Sequence, residues 1–149
     1  MSTNRRTALK GKYMVRLTLL VSGLVAAGIA AAILLAPELF YASYGIEVAG
    51  NATLVNELKA PAGALLVAGL FMFAGVVRPA LARVSLATAS VVYLSYGVAR
   101  LSSIAMDGFP NSALVSAAGI EIGIGAACLL ALLHARSHNT FNLPTRRTQ

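Results

Sequence analysis

The sequence predicts an all-α integral membrane protein, an antiparallel four-helix bundle with both termini in the cytoplasm, and three observations carry that reading. Hydrophobic residues make up 58% of the chain and charged ones 11%, with a mean hydropathy of +0.76, far from the balance of a soluble domain. The apolar residues collect into four runs, at 17–35, 60–77, 84–105 and 112–134, each close to the ~20 residues that cross a bilayer core. The connections between those runs alternate in charge, one side basic and the other acidic.

At 149 residues the chain is one domain's worth. It divides into a basic tail over 1–16, a transmembrane domain over 17–134 and a polar tail over 135–149. Arg5, Arg6, Lys10, Lys12 and Arg16 precede the first run, Arg78 and Arg83 separate the second from the third, and Arg136, Arg146 and Arg147 follow the fourth. The two remaining connections hold Lys59 as their one basic residue, beside Glu38, Glu47, Glu57 and Asp107. With four spans every basic segment falls on one side, which the positive-inside rule assigns to the cytoplasm. The net charge of +7 is therefore a topology signal for a multi-pass inner-membrane protein, with some affinity for anionic lipid heads. Nucleic acid is not an expected partner, since no basic surface with stacking aromatics is visible.

The basic tail should be loosely ordered until it meets the membrane. A cleavable signal peptide is the alternative for the first run, but the run is long, lacks an obvious cleavage site and leads into Pro37-Glu38. It is read as a retained helix. Two stripes of small residues, Gly23/Ala27/Ala31 and Ser22/Ala26/Ala30, allow neighbouring helices to approach closely. Pro37, Glu38 and Gly45 then bracket a two-turn helix. Its Phe40, Tyr41 and Tyr44 fit an aromatic belt at the headgroup level or a lid over the bundle.

Asn51 can cap a helix, and Pro61 either starts the second span or lies inside a helix begun near Ala52. The short Arg78–Arg83 connection makes the second and third spans antiparallel neighbours. Asp107-Gly108 ends the third, and Asn111 or Ser112 caps the fourth. On the fourth, Glu121 shares a face with Ala117, Ala118, Gly125 and Cys128. Ser116, Gly119, Gly123 and Ala127 form an opposite surface on which a second copy or another membrane protein could pack.

The chemistry concentrates on residues 93–107. Tyr93, Tyr96, Arg100, Ser103 and Asp107 recur at helical spacing, a polar stripe on an otherwise apolar helix. A charge at membrane depth is costly and is normally turned towards a partner. Arg100 lies ~6 Å below the end of its span and Glu121 ~13 Å below the same end of its own. Side chains lean towards their helix N-terminus, so these two lean together and a bidentate pair is expected. Asp107 sits at the unfavourable end of a helix dipole and calls for a cation, Arg100 or Lys59. Glu57, at the same level, completes an expected cluster of Glu57, Lys59, Arg100, Asp107 and Glu121, with Tyr93 and Tyr96 beneath. Such a cluster either holds a small molecule or fixes helix register as an ion pair.

Other chemistry finds little support. Cys128 is the lone cysteine, so no intrachain disulfide or thiolate cluster can form. His134 and His138 have metal-ligand spacing but no evident third ligand, and no metal site is expected. No nucleophile–base pattern, Walker loop, dinucleotide fingerprint or haem motif is present, so no catalytic residue is assigned.

The order APELFYASYGIE, NATLVNELKA, a short basic turn, YGVARLSSIAMDGFP and a last helix carrying Glu121 resembles a family of bacterial four-helix membrane proteins, domain-of-unknown-function family 4345. The resemblance covers residues 17–133. Its most specific parts are Asn56-Glu57-Leu58-Lys59, Gly97 with Arg100, and Asp107-Gly108 with Pro110. Members are distantly similar to DoxX-like four-helix proteins, some linked to quinone or redox systems, a likeness of fold that transfers no activity. Pro61 departs from the pattern and leaves the start of the second helix open.

Three functions follow as expectations. The first is a non-enzymatic protein binding a small amphipathic molecule, a lipid or quinone, with no resident cofactor. The second is a structural or accessory subunit docking through Gly119/Gly123. The third is a small intramembrane enzyme or proton-coupled carrier using Glu121.

Overall fold

A computed structural model of the chain describes residues 3–137, with side chains from Leu9 to Ala135 apart from Lys10. All regular structure among the described residues is helical. The long helices are α1 (Thr3–Leu35), α3 (Ala52–Val77), α4 (Ala82–Asp107) and α5 (Ser112–Ser137). The short α2 (Pro37–Ala42) follows α1, and a 3-10 turn (Pro79–Leu81) joins α3 to α4. All four long helices are long and apolar enough to cross a membrane. Leu24, Val67, Val91 and Leu130 turn outward and are more than half exposed. That surface is uneconomical in water and natural in lipid, so the protein is a multi-pass membrane protein.

Two helices start ahead of the apolar runs they contain. The basic segment expected to be loosely ordered is helical from Thr3 and continuous with the first span. Its Ala, Leu, Lys and Arg residues favour helix, and Gly11 alone is too weak to break it. Of the two starts the sequence leaves open for the second span, the structure takes the earlier: α3 begins at Ala52, ahead of the apolar run at residue 60, and carries Pro61 internally. Asn51 sets that start, because its side chain accepts the Leu54 amide at 3.0 Å. Pro61 forfeits one backbone hydrogen bond near the helix start, a loss that packed membrane helices tolerate. Asn111 caps α5 in the same way, from Leu114 at 3.0 Å. Gly108, at φ +97°, ends α4 where the sequence placed its stop. Of the His134/His138 pair, His138 lies outside the described residues.

The bundle is assembled as two tight pairs, α1 with α3 and α4 with α5, which then pack on each other. In the first pair the Gly23/Ala27 stripe meets Gly69. A β-carbon on Gly69 would stand 2.9 Å from the Ala27 amide nitrogen. In the second pair Gly97 faces Ile122, whose Cγ1 would lie 2.5 Å from a β-carbon there. Only glycine permits that approach.

Packing differs between the two ends. Leu19, Met72, Leu86 and Cys128 are fully buried, with Ala89 and Leu132 around them, at the end remote from α2. Polar contacts tie the pairs together where this core stops. The Tyr93 hydroxyl donates to the Ser22 carbonyl at 2.6 Å, and Ser22 Oγ lies 3.1 Å from Cys128 Sγ. Within the core itself, near Leu19, Ser85 Oγ donates to the Phe71 carbonyl at 2.9 Å, joining α4 to α3. Beyond Tyr93, towards α2, the two pairs leave a hollow.

Candidate functional site

That hollow is a cavity of about 540 Å³ between the α1–α3 and α4–α5 pairs. Its size falls within the roughly 300–1,000 Å³ of small-molecule sites. Aliphatic side chains such as Ile29, Ile33, Leu65 and Val92 supply most of the wall. The polar groups gather towards the α2 end. Arg100 and Glu121 line it, with Tyr41 and Tyr44 from the α2 segment and Tyr93 and Tyr96 from α4.

The geometry of the charged pair follows from helix register. Arg100 Nε donates to both Glu121 oxygens, at 3.1 Å and 2.9 Å. The expected bidentate fork is not what forms: one N–H is shared between two acceptors, and the guanidinium meets the carboxylate through its inner edge. A guanidinium has five N–H groups, so four, on the two Nη atoms, find no acceptor among the described residues. The Glu121 side chain is 13% exposed and that of Arg100 35%. The carboxylate is therefore the more buried member of the pair.

The structure brings together only part of the expected cluster. Tyr93 and Tyr96 join Arg100 and Glu121 in the cavity wall. Asp107 does not reach Arg100; it is exposed and accepts the Ser103 hydroxyl at 3.0 Å, within its own last turn. Two helical turns are too far for Arg100, which is committed to α5. Glu57 is exposed and Lys59 half-buried, and neither makes an ion pair among the described residues. Leu58, between them, is the residue of that turn that faces the cavity. Tyr93 is buried with its hydroxyl satisfied by Ser22, so it forms floor and tie at once.

The α2 aromatics, for which the sequence offers a headgroup belt or a lid, are not among the site residues it predicts, and the structure puts them in the cavity wall. Phe40 packs edge-on against Tyr41 and Tyr44, with ring centroids 5.2 and 5.4 Å apart, and all three line the cavity. The segment acts as a cover, held to the start of α5 by a hydrogen bond from the Asn111 side chain to the Tyr44 carbonyl at 2.5 Å. Its signal was present in the spacing of three aromatics after Pro37. Burial pushes the Tyr41 phenol above its ordinary value of 10.0, and the positive charge of Arg100 pulls it back only in part. Tyr41 thus stays a neutral hydroxyl. The hydroxyls of Tyr41, Tyr44 and Tyr96 have no hydrogen-bond partner among the described residues.

Gly119 and Gly123 stand on the far side of α5, exposed, with open space where a β-carbon would go. Cys128 is buried and unpaired by any disulfide. No group of three metal-ligating side chains occurs among the described residues.

A family model described as a domain of unknown function (DUF4345) matches residues 14–132. Comparison with curated proteins and with solved structures finds no match.

Proposed function

Because the chain belongs to the DUF4345 family, a domain of unknown function, its role has to be argued from its own site, and we propose that it is an inner-membrane protein that binds a small amphipathic molecule, such as a lipid or quinone, in the cavity. The observation that carries this is the Arg100–Glu121 pair set in the wall of a 540 Å³ apolar hollow. A purely structural pair would be packed over, as Tyr93 and Ser22 are. This pair instead fronts open space with unused donors. Basic connections on one side give cytoplasmic termini, so the α2 end and the cavity belong to the outer half of the membrane. The bacterial, DoxX-like character of the fold is part of the same proposal.

Native mass spectrometry of the protein released from its own membranes tests the reading. A small molecule should accompany the wild-type chain and be lost from Leu65→Trp, which enlarges a side chain of the cavity wall on α3, outside the helix pair that carries Arg100 and Glu121. An empty protein under every mild release condition would sink it. A second reading, an accessory subunit, is favoured by the open Gly119/Gly123 face of α5. In that case Arg100–Glu121 only fixes α4 against α5, and Gly123→Leu would abolish a partner's co-purification while leaving the fold intact.

A further inference from the structure

The chemistry of the cavity goes further than its size and specifies the head of the molecule it takes. We infer that the ligand's head is uncharged and rich in hydrogen-bond acceptors, an ester, ketone or similar carbonyl group, and that anionic amphiphiles are excluded. The inference rests on the cavity-binding reading above and names its ligand class.

Charge comes first. The cavity wall contains one cation and one anion, Arg100 and Glu121, already paired at 2.9 Å. The remaining lining residues are neutral, Tyr41 included. The site therefore has no net charge to offer. An anionic head would bring a second negative charge beside Glu121 into an apolar, weakly screened space, without a cation of its own. A cationic head would bring a second positive charge beside Arg100, and both Glu121 oxygens already accept from that arginine.

Donor balance comes second. The four Nη–H groups of Arg100 and the hydroxyls of Tyr41, Tyr44 and Tyr96 lack acceptors among the described residues. Glu121 already accepts on both oxygens. The four Nη–H groups of Arg100 can only donate, whereas the three phenols can donate or accept, so the unmatched groups lean towards donors and a head that accepts hydrogen bonds matches them. The aliphatic wall of Ile29, Ile33, Leu65 and Val92 matches an attached hydrocarbon body.

The test uses the full chain in nanodiscs of uncharged phosphatidylcholine. Methyl dodecanoate and dodecane-1-sulfonate are added at equal mole fraction of lipid, and bound probe is counted by native mass spectrometry. The wild-type protein should hold the ester with roughly tenfold preference, the scale of one unfavourable polar burial. In Glu121→Gln the Arg100 charge is uncompensated, and the preference should reverse towards the sulfonate. Equal or stronger sulfonate binding by the wild type would overturn the inference while leaving the cavity as a binding site. Binding of neither probe, with the protein folded, overturns both. The wild-type ratio decides alone if Glu121→Gln does not fold.

Discussion

Arg100 shares a single Nε–H between the two oxygens of Glu121, and so joins α4 to α5 by its inner edge while its outer edge is left for something else. A pair used only for structure gains most from a full fork. The geometry here holds the helices and keeps donors available together.

Replacing one member of this pair should cost more than replacing both. Glu121→Leu leaves Arg100 uncompensated in an apolar setting and should destabilise the bundle by about 1–3 kcal/mol, between the limits for exposed and buried pairs. The double change Arg100→Leu with Glu121→Leu should recover most of that loss. Chemical unfolding in detergent micelles, followed by circular dichroism, reads both. Equal losses in the single and double variants would mean that the pair carries no coupling.

The α4–α5 contact gives a sharper contrast. Gly97→Val drives a side chain into Ile122 and should cost about 1–3 kcal/mol or prevent folding. Gly119→Ala and Gly123→Ala enter open space inside a helix and should leave monomer stability unchanged or raised by up to about 1 kcal/mol. Thermal unfolding of the three variants side by side makes the comparison.

Tyr93→Phe removes the hydroxyl that reaches the Ser22 carbonyl and leaves the ring in place. The loss should be about 0.5–1.5 kcal/mol. It should be accompanied by faster hydrogen exchange in α1 around Ser22. Unchanged exchange there would show that α1 is held without this tie.

Tyr41 provides a pH signature. Its folded-state pKa lies above the ordinary 10.0, chiefly through burial. The folded protein therefore keeps a proton that the unfolded chain begins to lose near that pH. The resulting contribution to stability is complete below pH 10 and declines as pH rises beyond it. Ultraviolet titration of wild type against Tyr41→Phe isolates the group. Arg100→Leu, which removes the pull of the cation, should move the transition higher still.

Much of the fold is written locally. Four apolar runs, Asn51 and Asn111 as caps and Gly108 as a stop each act through nearest neighbours along the chain, so spacing alone exposes them. Arg100 and Glu121 could be brought together by arithmetic, because helix rise and side-chain lean are fixed quantities. The internal position of Pro61 was open because the cap at Asn51 and the proline give opposing instructions, and the cap prevails. The Tyr93–Ser22 tie escaped because its acceptor is a backbone carbonyl, which every residue possesses. The helix dipole calls for a cation at Asp107, yet Ser103, one turn away, already supplies a donor. A binding site beside Arg100 and Glu121 is an expectation the polar stripe supports, but its volume is not legible: that is what four helices and a cover fail to fill, a property of no single segment.

The contrast between the solid end around Leu19, Met72 and Leu86 and the hollow end beneath Tyr41 has a mechanical consequence. Close-packed interiors yield little to compression, whereas void volume is what pressure removes. The bundle is therefore a rod with one stiff end and one compressible end, joined where Tyr93 meets Ser22. A molecule filling the hollow would stiffen the α2 end alone, and changes in lateral pressure within the bilayer would be felt there first.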